Sequence, residues 1–211
     1  MQRILILGAG GHAQVVADIL MRARDAGARI EPIGYVDDNP MLHGQKRLGL
    51  PIWGPLADLG QIDHDALILG VGDNQNRQRL FEQYRRRSEC FATARHPAAV
   101  IAPDVQIGHG VMICAGVIVS AGSVIGDNVI LNTACTVDHH NVIGDHAHIA
   151  PGVHLGGDVH IGTGALVGIG AIVMPQRQVG NWSIIGAGAL VHDPVPARAI
   201  AIGVPAKVKE M

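Results

Sequence analysis

The residues best suited to acid–base work lie together in Asp138-His139-His140. An imidazole exchanges protons near neutral pH, and a neighbouring carboxylate can orient it and stabilise its cation. His139 and Asp138 are therefore the candidate catalytic residues, with His139 as a general base. A second constellation is the run Gly8-Ala9-Gly10-Gly11-His12-Ala13, which fits a Gly-x-Gly-x-x-Ala turn between an apolar strand and a helix. Such a turn presents backbone N–H groups and a helix N-terminus to phosphate. Gly10, Gly11 and His12 are thus candidate substrate-binding residues. Asp37 and Asp38 follow at the distance where a carboxylate accepts hydrogen bonds from a ribose or a base.

Other reactive residues carry less. Cys135 falls on an inward repeat position and Cys114 has no histidine or aspartate beside it, so both read as small core residues. His148, His154 and His160 recur every six residues. On a three-sided coil that spacing sends each to a different face, so no metal site is expected from them.

The elements that must position these groups change character along the chain. Up to residue 96, strand-like and helix-like stretches alternate: Arg3–Leu7, a helix at 12–24 with Val15, Val16, Ile19 and Leu20 at helical spacing, strands at 33–36 and 66–71, a helix at 74–87 and a last strand at 90–94. This alternation predicts an α/β, Rossmann-like domain over 1–96 with a parallel sheet. It is too small for a full double Rossmann sheet, so the turn suits a nucleotide sugar better than NAD, whose pattern it also satisfies.

From residue 97 a period of six takes over. Every sixth residue from Ile101 to Val191 is Ile, Leu or Val, at sixteen consecutive repeats, and the next residue is Gly in eight of them. Fixed-period self-similarity of this kind denotes a stacked architecture. Each hexapeptide is a short strand plus a turn, and three make one triangular coil. The expectation for 97–211 is a parallel β-helix of about five coils. His139, two residues after the inward Val137, then lies on an exposed turn. Pro175-Gln176-Arg177-Gln178 puts Arg177 on an inward slot and predicts a local loop or bulge.

Composition narrows the function classes. Lys and Arg number 16 against 18 Asp and Glu, a formal charge of −2 that gives no reason to expect nucleic acid. Arg85-Arg86-Arg87 reads as a solvated last helical turn. Three scattered cysteines make no disulfide framework, and no apolar run approaches a membrane span. A signal peptide is not recognisable. The expectation is a cytoplasmic protein with reduced thiols and no membrane contact.

Val137-Asp138-His139, Asn141-Val142-Ile143-Gly144-Asp145 and the run from His148 to Gly157 resemble the NeuD/PglD family of sugar acyltransferases. Leu5–Ala13, Gly34-Tyr35-Val36-Asp37-Asp38 and the C-terminal Gly203-Val204-Pro205-Ala206-Lys207 resemble the same family, in the same order. The resemblance implies a left-handed hexapeptide-repeat β-helix, acetyl-CoA as co-substrate with no tightly bound cofactor, and a homotrimer whose sites lie between subunits. It implies work in cell-surface polysaccharide biosynthesis, in pathways of sialic acid, bacillosamine or perosamine type. His139 takes the family's base position and Asp138 the acidic position before it, which is often Glu. Asn132 matches an active-site asparagine, and His148 a histidine near the acceptor amine. Gly157 matches the amide that receives the thioester oxygen. Ile169, Ala187 and Lys207 match positions that bind acetyl-CoA. His140 stands where the family often has an acidic residue.

The implied reaction is N-acetylation of a UDP- or GDP-linked 4-amino-deoxysugar by direct attack on the thioester. An amine attacks only when neutral, and a histidine with a pKa of about 6.5 suits its deprotonation. An alternative is a sugar O-acetyltransferase of sialic acid type with the same site. A third reading, from another class, is a non-catalytic β-helix that binds a nucleotide or scaffolds a partner.

Overall fold

The computed structural model describes residues 1–210, which form two compact units divided after Pro97. In the first, β1 (Gln2–Leu7) lies between β2 (Ile30–Val36) and the strand Ala66–Leu69, all parallel. Ile4 to Leu7 are at most 1% exposed, as continuous apolar runs covered on both faces must be. Helix α1 (Gly11–Asp25) buries Ala13, Val16, Ala17, Ile19 and Leu20, while Val15 turns outward. Helix α2 (Asn74–Arg85) is capped by Asp73, whose carboxylate accepts the Asn76 N–H, and ends two residues before the expected limit. Its buried side chains join Leu5, Leu7, Leu67 and Leu69 in one core.

The second unit is the left-handed β-helix, and each hexapeptide repeat from Val100 to Val191 carries one two-residue strand. Face I of the prism stacks Val100–Ile101, Ile118–Val119, Thr136–Val137, His154–Leu155, Ile172–Val173 and Leu190–Val191. Face II runs from Gln106–Ile107 to Gln178–Val179. Face III runs from Met112–Ile113 to Ile184–Ile185 and is extended by Ala199–Ile202, which pairs antiparallel with Lys207–Glu210. The register is eighteen residues, as in Val119↔Val137 and Val137↔Leu155. Inward aliphatics from Ile113 to Val191 are at most 3% exposed. Each coil is thus sealed by its neighbours.

Close stacking explains the glycine that so often follows the inward aliphatic. A Cβ on Gly144 would sit 2.6 Å from the backbone nitrogen of Thr163 in the next coil. Arg177 corrects one expectation: there is no bulge. Its carbonyl accepts the His160 N–H at 2.9 Å and the strand Gln178–Val179 follows in register. The side chain is half-buried, its Nε enclosed without a partner among the described residues and its Nη1 directed at the Gln176 carbonyl. Among the described residues, no helix is long and apolar enough to cross a membrane.

Candidate active site

His139 occupies the turn between faces I and II. The hexapeptide pattern fixes this: Val137 points inward, Asp138 closes the strand, and His139 begins the exposed corner. Eighteen residues on, Gly157 occupies the same corner of the next coil, and the imidazole lies over it. A Cβ on Gly157 would fall 2.5 Å from His139 Cε1 and 2.6 Å from Nε2. Only glycine allows this approach. The Gly157 N–H has no hydrogen-bond partner among the described residues. At the corner between faces II and III, the equivalent N–H of Thr163 donates to Asn181 Oδ1 at 2.9 Å. The residue stacked above Gly157 is Pro175, whose side chain accepts nothing. A candidate base and an open amide donor therefore stand side by side.

Asp138 departs from the expected role. Its Oδ1 accepts the His139 backbone N–H at 2.8 Å, so the carboxylate braces the turn. The short side chain bends back on its own loop, as aspartates in turns do. The imidazole's partner is His140: the two Nδ1 atoms are 3.1 Å apart and the rings meet edge-on at 78°.

Sequence reasoning missed two residues behind this corner. Asn141 is fully buried and its Nδ2 donates to the carbonyls of Asp138 at 2.6 Å and Gly156 at 2.9 Å. Its Oδ1 accepts the Val159 N–H at 3.1 Å. Buried Ser123 donates to the Asp138 carbonyl at 2.9 Å and accepts the Asn141 N–H at 3.2 Å. Together they tie the turn of His139 to the turn of Gly157. The available signal was a polar residue in a slot that mostly holds valine, alanine or cysteine.

Asn132 and His148 come together, but elsewhere. Asn132 Nδ2 is 3.1 Å from His148 Nε2, and Asn132 Oδ1 accepts the Thr133 N–H at 2.8 Å. The Cys114 thiol also points at that oxygen, at 3.6 Å. These bonds fix the amide orientation, so Nδ2 donates and His148 Nε2 accepts. His148 is on face III and Asn132 begins the corner between faces III and I. Ile169 and Ala187 lie on that same corner, both exposed, with N–H groups that make no protein hydrogen bond among the described residues. One full face separates this corner from His139. Lys207 lies at the C-terminal end, beside a cavity of about 370 Å³ that His192 and Asp193 also line. His154 and His160 lie on faces I and II. Burial pushes the thiol of Cys114 up to about 11 and that of Cys135 up to about 12, so neither supplies a thiolate at neutral pH.

In the first unit, the turn after β1 opens the N-terminus of α1. Gly10 caps the helix without a side-chain bond, and a Cβ on Gly10 or Gly11 would meet nothing within 4 Å. Gly10 has φ −73°, which any residue adopts, so neither backbone nor packing demands glycine there. His12 is held down to about 4 by burial and by the Arg77 guanidinium, and is neutral at pH 7. Buried Arg77 donates to the carbonyls of Val71 and Gly72.

The two aspartates differ from expectation. Asp37 Oδ2 accepts the Ala9 N–H at 2.7 Å and Oδ1 the Asn39 N–H at 2.9 Å, while Asp38 Oδ1 accepts the Leu56 N–H at 2.9 Å. Both carboxylates thus shape the loops first, and what they offer a ligand is their remaining lone pairs.

Comparison with known proteins bears on the family and the fold. Residues 3–84 match the family model of the PglD N-terminal domain. The acetyltransferase domain of PglB from Neisseria gonorrhoeae is 33% identical, with 98% of this chain and 99% of that chain aligned at a TM-score of 0.90. PerB from Caulobacter crescentus, solved in complex with CoA and GDP-perosamine, is 37% identical, covering 99% and 98% at a TM-score of 0.90. WeeI from Acinetobacter baumannii is 26% identical over 99% of this chain and all of that one, at a TM-score of 0.87. An uncharacterised protein of Acanthamoeba polyphaga mimivirus is 35% identical over 109 residues, 51% of this chain, which spans only 20% of that relative. A shared fold, a shared domain order and this level of identity over whole chains leave one conclusion: the chain belongs to the NeuD/PglD-type family of sugar acyltransferases.

Proposed function

We propose that the protein is an acetyl-CoA-dependent N-acetyltransferase acting on the amino group of a UDP- or GDP-linked 4-amino-deoxysugar. The observation that carries the reading is the His139 imidazole lying over Gly157, whose N–H is unclaimed. His139 removes the proton of the attacking amine, and a placed base of this kind contributes roughly 10²- to 10⁴-fold. The amine attacks the thioester carbonyl directly. The oxyanion that forms accepts the Gly157 N–H, and CoA leaves as the thiol. One such donor is worth roughly 10²- to 10³-fold.

The neighbours described above support the substrate classes, since PerB was solved with CoA and GDP-perosamine. The first unit serves as the nucleotide-sugar domain, with Gly10, Gly11 and the open N-terminus of α1 taking the phosphates. His12 lines that turn as a neutral donor or acceptor, and Asp37 and Asp38 face the ribose or base. Ile169, Ala187 and Lys207 hold acetyl-CoA, and His148 lies near the acceptor amine.

The same geometry supports a homotrimer. The His139–Gly157 corner and the corner of Asn132, Ile169 and Ala187 cannot meet within one prism. Cyclic association sets one corner of each chain against another corner of the next. An acetyl-CoA-dependent enzyme of this kind works in the cytosol, where its co-substrate is made.

No carboxylate touches the His139 ring, which favours an amine over the less acidic hydroxyl. A CoA-release assay over UDP-, GDP- and dTDP-sugars tests this. The best 4-amino sugar should react at least about 10²-fold faster than its 4-hydroxy counterpart, a gap of roughly 2.7 kcal/mol. Equal rates, or activity confined to free sialic acid, would move the assignment to O-acetylation.

A further inference from the structure

We infer that His140 is a positioning residue that sets the tautomer of His139, a role that rests on His139 being the base. The two Nδ1 atoms face each other at 3.1 Å, so one carries a hydrogen and the other a lone pair. The edge of His139 that overlies Gly157 carries Nε2. For Nε2 to accept the amine's proton, His139 must hold its own hydrogen on Nδ1. That hydrogen then points at the Nδ1 lone pair of His140, which keeps its hydrogen on Nε2.

The fold holds His140 for this task. Its backbone is left-handed, with φ 58° at the second residue of the turn. Its ring lies over Gly122, where a Cβ would be 2.7 Å from His140 Cδ2. The Gly122 N–H is itself tied to Asp104 Oδ2 at 2.9 Å. Asp138 makes no bond to the ring; its Oδ1 accepts the His139 backbone N–H instead.

A histidine partner differs in chemistry from a carboxylate. It orients the base without adding negative charge. The charged groups on the same corner are Asp138 in this turn and Asp104, Asp158 and Arg177 in the stacked turns.

The test uses the full-length enzyme labelled with ¹⁵N-histidine. The spectrum should show His139 with its hydrogen on Nδ1 and a bare Nε2 at pH 8. The variant His140→Ala should lose that preference and lower kcat about 10-fold or more, since a wrong tautomer disables a base. Both KM values should stay within about twofold. His140→Asn tolerates the left-handed φ and places a carbonyl oxygen where Nδ1 stood, so it should restore most of the lost rate. His140→Asp should move the acid limb of the rate profile to higher pH, because a carboxylate stabilises the imidazolium. Wild-type kcat in His140→Ala, or a hydrogen on His139 Nε2 in the wild type, would overturn the role of His140. His139→Ala separates the two readings. An active His139→Ala overturns the base assignment itself, whereas an inactive one beside a fully active His140→Ala overturns only the pairing.

Discussion

Two corners of the same solenoid carry the same backbone and opposite chemistry. Between faces II and III, side chains stacked eighteen residues apart close three rungs of the ladder. Asp127 accepts the His109 N–H at 2.8 Å, Asp145 the Asp127 N–H at 2.7 Å, and Asn181 the Thr163 N–H at 2.9 Å. Between faces I and II the ladder breaks at Gly157, under Pro175. A donor already satisfied has nothing to offer a ligand. The Gly157 N–H is open, next to the ring of His139. In a repeat protein the site is written as a lapse in the repeat.

The largest effect should come from removing the base itself. His139→Ala is expected to lower kcat by about 10²-fold or more with an unchanged melting temperature, because an exposed turn side chain contributes little to stability. Subunit exchange extends the test across corners. Each site would take His139 from one chain and Asn132 from the next. Mixing His139→Ala with Asn132→Ala should therefore restore activity at about a quarter of the sites. Failure to recover any rate from two inactive parents would place the site within one chain.

A contrast of matched substitutions comes next. Gly157→Ala drives a methyl into the imidazole and should cost about 10²-fold in kcat, close to the loss of one oxyanion donor. Thr163→Ala, at the same place on the closed corner, should leave kcat within about twofold. Similar losses at both corners would make the interruption irrelevant to catalysis.

The smallest effect lies in stability and separates the ties within each corner. Asn141→Ala strands the Gly156 carbonyl and the buried Val159 N–H, and leaves the Asp138 carbonyl only Ser123, so denaturant unfolding should show a loss of about 2–4 kcal/mol. Asn181→Ala opens one exposed N–H to water and should cost about 1 kcal/mol or less. Equal losses would mean that Asn141 is an ordinary rung.

The sequence announced the solenoid because stacking imposes the same demand on every coil. An inward slot that tolerates only Ile, Leu or Val repeats sixteen times, and His139 could be counted outward from it. Its partner could not be counted. Whether Asp138 reaches the imidazole or its own turn is decided by side-chain torsions, which spacing does not encode. Asn141 stood in plain view within the motif, yet its bonds run fifteen residues ahead to Gly156, across coils. Asp37 likewise read as a ligand for ribose because the strand end pointed there, while the turn beside it already claimed an oxygen through the Ala9 N–H. Arg177 looked like a break because charge is rare inside. The backbone ignored it, since the ladder needs only its carbonyl.

The eighteen-residue register has a consequence for how such a chain can lengthen or shorten. Adding or deleting eighteen residues after Gly157 inserts or removes a storey and returns every later side chain to its own wall. A change of six turns everything downstream by a third of a revolution. Ile169 and Ala187 would then be carried off the corner they share with Asn132, with every inward aliphatic still facing inward. Folding would pass such a change and catalysis would not. Indels between Gly157 and Val191 should therefore survive selection in whole storeys, or as loops thrown out from a corner.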